Sequence, residues 1–196
     1  MQVGTLFSNF GEDALADRLA DAGAHAVLTR RSLVRKLVAI RKRVPTLRTI
    51  LVIDTEADEP PGILSWPRLV EAASDRFDTE PTDPETPSVL HYKSGSTGKP
   101  KGAVHVHASL ASQRATAEQV LGLRQRDVFW CTADQGWVTG TSYGIIGPWS
   151  LGITQVHYGG PYDAAGWFRL LQDERITVPG AQAGLSFFAA GTPCHT

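Results

Sequence analysis

The sequence predicts an α/β fold in which helices flank a mostly parallel sheet. Apolar segments of strand length alternate along the chain with segments of helical period, and this order is typical of parallel sheets. Thr49–Asp54 reads T-I-L-V-I-D, a strand pattern, whereas Leu15 and Leu19 repeat at helical spacing. The 196 residues suffice for one sizeable core and for one or two domains.

The predicted elements follow one another in a regular order. The first half predicts helix Glu12–Ala22, strand Ala24–Thr29, helix Ser32–Val44, strand Thr49–Asp54 and a helix from Pro67 toward Phe77. The second half predicts strand Ser88–Tyr92, helix Ser109–Leu121, strand Val128–Cys131, helix Ser142–Leu151, strand Thr154–Tyr158 and helix Ala164–Glu174. Gly23 is a stop signal for the first helix, and Pro67 suits a first helical turn.

Bulk composition limits the classes of partner. The formal net charge is −1, which gives no indication of a nucleic-acid or charged-membrane partner. Two cysteines far apart, Cys131 and Cys194, fit a reducing cytoplasm better than a disulfide framework. The first residues lack the basic segment and long apolar run of a signal peptide, and no apolar run approaches membrane-spanning length. These features predict a soluble, cytoplasmic protein.

The segment Tyr92–Gly102, Y-K-S-G-S-T-G-K-P-K-G, is the best candidate for a binding site. Glycines allow successive backbone N–H groups to converge on an anion, while hydroxyls and lysines add donors and positive charge. The spacing differs from that of a P-loop NTPase, because only two residues separate Gly95 from Gly98 and Pro100 follows Lys99. The alternative for such a composition is a hydrophilic surface turn.

The ordered string S-G-S-T-G-K-P-K-G resembles the phosphate-binding signature of the adenylate-forming superfamily, which includes acyl-CoA synthetases, peptide-synthetase adenylation domains and luciferases. A second segment, Trp130–Tyr143, W-C-T-A-D-Q-G-W-V-T-G-T-S-Y, is similar to the corresponding segment of acetyl-coenzyme A synthetases. Phe7–Gly11 and Gly159–Asp163 are also similar to that family. The resemblance runs from about Leu6 to Val178 and implies part of the large N-terminal domain of the adenylate-forming fold.

The resemblance implies a reaction and a set of binding residues. In the family a carboxylate attacks the α-phosphate of ATP, pyrophosphate leaves, and coenzyme A takes the acyl group. Because negative charge develops on the leaving pyrophosphate, fixed donors and cations around it lower the barrier. The residues implied for ATP phosphate binding are Ser94, Gly95, Ser96, Thr97, Gly98, Lys99 and, less firmly, Lys101. Mg²⁺ is expected to arrive with ATP.

A second set of residues matches the part of the family that shapes the acyl pocket and the coenzyme A channel. These residues are Trp137, Val138 and Thr139. Bulky side chains of this kind restrict pocket volume, although each excluded methylene is worth only about 1–3 kcal/mol. The alternative is that Trp137 is an ordinary core aromatic. Lys93 departs from the family, which often has a hydroxyl residue there; it adds a phosphate contact or points outward.

Two other clusters have simpler explanations. His91, His105 and His107 lack a cysteine or carboxylate at ligand spacing, so no metal site is expected. The basic residues of 30–43 flank an apolar stripe, which suggests either the solvated face of a packed helix or an interaction module for anionic lipid or nucleic acid.

The ends of the chain suggest a truncated gene product. Residues 1–178 are expected to form a partial AMP-binding domain that contains the acidic, proline-rich connector 78–87, and residues 179–196 form a divergent tail, with a shifted reading frame after Val178 as one explanation. The family's adenine and ribose contacts, acidic magnesium ligand and C-terminal lid are not recognised, so no complete catalytic set is expected. The resemblance therefore predicts an acetate–CoA ligase-like enzyme, or an inactive remnant that at most binds nucleotide phosphates. The oligomeric state stays open.

Overall fold

The computed structural model describes residues 1–57, 62–93 and 100–180. The chain divides into two compact units: the first contains residues 1–7, 83–91 and those from 104 onward, and the second contains 8–82 and 92–103. The division falls within strands β5 (Pro87–Lys93) and β6 (Lys101–Val106), which are neighbours in one sheet. None of the described helices is long and apolar enough to cross a membrane.

The second unit contains a three-stranded parallel sheet with helices beside it. Its elements are α1 (Glu12–Asp21), β2 (Ala26–Thr29), α2 (Val34–Ile40), β3 (Thr49–Val52), β4 (Ile63–Ser65) and α3 (Trp66–Ala72), with single 3₁₀ turns before and after α2. β3 lies between β2 and β4, and both pairings are parallel. Leu37, Ile40, Ile50 and Val52 are at most 3% exposed, so the apolar stripe of α2 faces the core of this unit.

The first unit contains two further sheets. Its elements are β1 (Val3–Gly4), the adjoining part of β5 and β6, α4 (Ser109–Gln119), β7 (Val128–Cys131), α5 (Val138–Thr141), a π-helical turn Ser142–Ile146, α6 (Gly147–Ser150), β8 (Thr154–Val156), α7 (Ala164–Asp173) and β9 (Val178–Gly180). β1 pairs with β5, and β7 lies between β8 and β9, all in parallel. Ala117, Leu123, Phe129 and Ile153 form the core of this unit.

The predicted fold class is confirmed, since every strand pairing whose register is described is parallel and helices alternate with strands. Most predicted elements form within one to three residues of their expected ends. The helix expected to run toward Phe77 is shorter and ends at Ala72. Beyond it Ala73 is extended, and Phe77 is 85% exposed, so no core contact extends the helix.

One prediction about the glycine-rich segment is wrong. We expected a strand before it and a helix after it, the usual arrangement at a ligand site in an α/β sheet. In the structure a second strand, β6, follows instead and neighbours β5 in the sheet. Val104 and Val106 alternate with His105 and favour a strand, but the glycine and lysine residues before them obscured that period in the sequence.

Candidate functional site

The predicted phosphate-binding segment joins two neighbouring strands. Ser94–Lys99 lies outside the described residues, so its contacts with phosphate stay a prediction. β5 ends at Lys93 and β6 begins at Lys101, and both of these lysines are exposed. Positive charge therefore stands at the end of the strand that enters the segment and at the start of the strand that leaves it.

Tyr92, near the end of β5, is held by side chains of α1. Its hydroxyl donates a hydrogen bond of 2.6 Å to Asp21 Oδ2. The guanidinium carbon of Arg18 lies 6.0 Å from the centre of the Tyr92 ring and 4.3 Å from that of Phe10. Burial raises the pKa of the Tyr92 hydroxyl, and the bond to Asp21 raises it further. Tyr92 is therefore a neutral donor at physiological pH.

His91, the residue before Tyr92, is buried against the neighbouring strand. It is 2% exposed, and its ring meets that of His105 edge to face at 5.1 Å. Burial lowers the pKa of His91, and the neighbouring His105 lowers it further. Nε2 of His91 is buried without a hydrogen-bond partner among the described residues. The pair therefore favours a neutral His91 within this sheet.

The three predicted acyl-pocket residues lie together at the start of α5. Trp137 is the residue before the helix and is 43% exposed, Val138 is 41% exposed, and Thr139 is half-buried. The rings of Trp137 and Phe7 are 5.9 Å apart. Trp137 is thus not a fully buried core aromatic, although its exposure does not by itself give it a ligand.

The turn before α5 is closely packed. A Cβ at Gly136 would lie 2.6 Å from Cα of Phe7, and one at Gly140 would collide with the backbone carbonyl of Asp134. The Asp134 carboxylate accepts a 2.7 Å bond from the Gly136 N–H and so stabilises the turn. Glycine is required at both positions because no side chain fits, and this close packing sets the direction in which α5 begins.

A cleft of about 170 Å³ opens at the end of β7. Trp130, Asp134, Tyr158 and Trp167 are among its lining residues, and the Trp130 and Trp167 rings meet edge to face at 4.8 Å. Cys131 also lines it, and burial raises the pKa of its thiol. The predicted acyl-pocket residues are not among the described lining residues. No local sequence pattern indicates this cleft, because its aromatic residues are separated by up to 37 positions.

Several basic residues around α2 contact other residues of the second unit. Lys36 Nζ donates to the carbonyl oxygens of Ser8 and Phe10, at 3.3 and 3.1 Å. Arg43 forms a 2.6 Å ion pair with Asp13, and another basic residue of this stretch, Arg41, donates to the Arg48 carbonyl. Across the described ranges no three His, Cys, Asp or Glu side chains are grouped to hold a metal ion.

Comparison with known proteins relates the chain to AMP-binding enzymes. The AMP-binding enzyme family matches residues 1–181. Acetyl-coenzyme A synthetases from Bacillus subtilis and Pyrobaculum arsenaticum are 38% and 32% identical over 176 and 200 residues, covering 90% and 88% of this chain. That of Rhodopirellula baltica is 38% identical over 170 residues, covering 79% of this chain. The chain spans 30%, 29% and 25% of these relatives' lengths.

Solved structures show the same relationship. An acyl-CoA synthetase from Brucella canis superposes with a TM-score of 0.86 and 26% identity over 97% of this chain and 34% of that one. The anthranilate CoA ligase AuaEII, in complex with anthranoyl-AMP, superposes with a TM-score of 0.80 over 89% of this chain and 34% of its own; at 24% identity it shows likeness of fold alone. By sequence over nearly its whole length and by fold, the chain belongs to the AMP-binding enzyme family.

Proposed function

We propose that this protein carries the ATP-phosphate-binding part of an AMP-forming acyl-CoA synthetase of the acetate–CoA ligase type. One observation carries the proposal: the string S-G-S-T-G-K-P-K-G follows β5 and runs into the start of β6 in a chain that belongs to the AMP-binding enzyme family. The relatives named acetyl-coenzyme A synthetase support a short carboxylate as substrate. A reducing cytoplasm suits a chain with two distant cysteines.

The proposed reaction has two steps. A carboxylate oxygen attacks the α-phosphorus of MgATP, the bond from that phosphorus to pyrophosphate breaks, and acyl-AMP and magnesium pyrophosphate result. The sulfur of coenzyme A then attacks the acyl carbon, the bond to AMP breaks, and the thiol proton goes to solvent. The protein's main contribution to the first step is to hold the leaving pyrophosphate with fixed donors and positive charge.

Each group of residues has a role in this proposal. Residues 1–178 form the adenylation domain segment, and 78–87 connect its parts. The backbone and side chains of Ser94, Gly95, Ser96, Thr97, Gly98 and Lys99 hold the β- and γ-phosphates, with Lys101 adding positive charge at the start of β6. Trp137, Val138 and Thr139 restrict the acyl pocket and the path of coenzyme A. The three residues of this second group are adjacent at the start of α5, which supports a shared role for them.

The test is acetate-dependent exchange of labelled pyrophosphate into ATP by the purified 196-residue chain. Exchange that requires both acetate and Mg²⁺ would support the complete first step. Hexanoate in place of acetate reports on the acyl pocket, and a small-carboxylate preference is expected. Absence of exchange with every carboxylate tested, together with no binding of MgATP or magnesium pyrophosphate, would reject the proposal.

The composition of the glycine-rich segment supports a second candidate, because its glycines, hydroxyls and lysines fit a polyphosphate whether or not adenylation follows. In that case the protein binds polyphosphate without completing adenylation. Equilibrium dialysis with labelled magnesium pyrophosphate separates the two candidates, since binding without exchange supports only the second. Binding is expected to weaken as ionic strength rises, because it depends on lysine charge.

Substitution of Lys99 by alanine tests which residues hold the phosphate. We expect Lys99→Ala to weaken pyrophosphate binding by roughly 10-fold or more, since a charged hydrogen bond to an anion contributes about 1.5–3 kcal/mol. The matched control is Lys42→Ala, which removes an exposed lysine from the turn after α2 and so changes the net charge of the protein by the same amount. Equal affinity of the two variants would show that the loss reflects overall charge and not a specific contact.

A further inference from the structure

The end of β5 is fixed to α1 by a side-chain contact between residues far apart in sequence. Tyr92 and Asp21 are 71 positions apart, and the 2.6 Å bond between them has the length expected for a hydroxyl that donates to a carboxylate. Both residues lie in the second unit. Tyr92 is followed by Lys93, the last residue of β5, and then by the glycine-rich segment. The bond therefore acts on the strand end from which that segment departs.

The position of Asp21 is unfavourable for the helix that carries it. Asp21 is the last residue of α1, and the partial negative charge of a helix C-terminus disfavours a carboxylate there. The first turn of the same helix has Glu12 and Asp13, where acidic residues are favourable. The interaction of Asp21 with the helix dipole therefore does not stabilise α1. Its one described hydrogen bond through the side chain is to Tyr92.

Arg18, one turn before Asp21 on α1, makes a second contact with Tyr92. Its guanidinium lies over the Phe10 ring at 4.3 Å and reaches the Tyr92 ring at 6.0 Å, both within cation–π range. Nη1 of Arg18 donates a 2.8 Å bond to the Ala14 carbonyl, which fixes the guanidinium on the helix. Lys36 holds the Phe10 carbonyl, so the aromatic partner of Arg18 is also fixed.

We propose that Tyr92 is a positioning residue, which through Asp21 and Arg18 fixes the end of β5 and so sets the starting point of the phosphate-binding segment. This inference rests on the proposed function of that segment. It assigns no contact between Tyr92 and a substrate. The Tyr92–Asp21 bond is partly open to solvent, since Tyr92 is half-buried and Asp21 is exposed, so its removal is expected to have a moderate effect.

The first test is binding of labelled magnesium pyrophosphate by the full chain. Tyr92→Phe keeps the ring and removes only the hydroxyl, and we expect roughly two- to 10-fold weaker binding. Asp21→Ala should weaken binding to a similar degree, and the double variant no further, because both changes remove one interaction. Asp21→Asn keeps a neutral acceptor and should restore part of the affinity. The control, Tyr143→Phe, removes a hydroxyl that contacts Thr116 in the first unit and should bind as the native protein does.

Stability separates positioning from a merely structural role. Because relief of the unfavourable Asp21 charge at the end of α1 offsets part of the lost bond to Tyr92, Asp21→Ala should change the unfolding midpoint little while pyrophosphate binding weakens. A parallel fall of midpoint and affinity in Asp21→Ala would overturn the proposal. So would unchanged affinity in Tyr92→Phe.

A second readout does not need a ligand. Trypsin cleavage after Lys93, followed by mass spectrometry and referred to cleavage after Arg175, measures how well the end of β5 is held. Tyr92→Phe should raise the relative cleavage rate by several-fold, and Tyr143→Phe should not. If the native chain binds no pyrophosphate, the proposed function fails. In that case the cleavage rate still tests whether Tyr92 fixes the end of β5. An unchanged rate in Tyr92→Phe would overturn this positioning role, whereas a raised rate would support it.

Discussion

At the residue scale, His91 shows how burial changes the chemistry of one side chain. It is 2% exposed on β5, with His105 on the neighbouring strand and a buried Nε2 without a partner among the described residues. A charged imidazole is disfavoured in such surroundings, so its pKa is lowered from 6.5 in the folded state. In the unfolded chain the pKa returns to its ordinary value, and the two states therefore bind protons differently.

We predict that His91→Leu reduces the acid sensitivity of the fold. Since the folded-state pKa is the lower one, the contribution of His91 to stability is present above pH 6.5 and is lost as the pH falls toward the folded pKa. Between pH 7.5 and 5.5 the free energy of unfolding should fall less in the leucine variant than in the native protein. The difference between the two slopes is at most about 1.4 kcal/mol per pH unit, the effect of one proton. Urea unfolding at a series of pH values measures both slopes. His107→Gln, at an exposed position, is the control and should follow the native profile.

At the element scale, α7 depends on a cap that the sequence already contains. Asp163 precedes the helix in an extended conformation, and its Oδ2 accepts a 2.8 Å hydrogen bond from the Gly166 N–H. This satisfies one of the backbone donors that a helix leaves free at its start. The same carboxylate lies 3.8 Å from Arg169, but both side chains are well exposed, so that ion pair contributes little.

We predict that Asp163→Ala lowers the free energy of unfolding by about 1 kcal/mol, because it removes the capping acceptor. Asp163→Asn keeps an acceptor of the same length and should stay within a few tenths of the native value. Equilibrium urea unfolding at pH 7 measures both. If the asparagine variant lost as much as the alanine variant, the negative charge and not the cap would be the important property.

At the scale of the whole molecule, charge distinguishes the two interpretations of the basic stretch 30–43. The chain has a net charge of −1, and Lys36 and Arg43 of this stretch are engaged with carbonyl or carboxylate oxygens of the same unit. Val34, Leu37 and Ile40 of α2 are buried in that unit, so they are not available to enter a membrane surface. These contacts favour a packed helix with a solvated face over an interaction module.

We therefore predict no salt-sensitive binding to anionic surfaces. Sedimentation with phosphatidylserine vesicles and fluorescence anisotropy with double-stranded DNA, each at 50 and 200 mM salt, should show no association. A binding constant that falls steeply with salt would contradict this, because it would indicate displacement of counterions by several basic side chains. Arg30→Ala together with Arg35→Ala should then abolish the association, since both side chains belong to exposed residues.

The sequence by itself determined the α/β class, most of the helices and strands, and the string proposed to bind phosphate, because these depend on local period and on an ordered string of residues. Ser94–Lys99, for example, is recognisable without coordinates. The tertiary structure decided what lies beside that motif. A second strand follows it where a helix was expected, and Tyr92 meets Asp21 across 71 positions. The aromatic cleft at the end of β7 likewise joins residues from separate elements. Contacts of this kind depend on how elements pack, and local sequence preferences do not encode that packing.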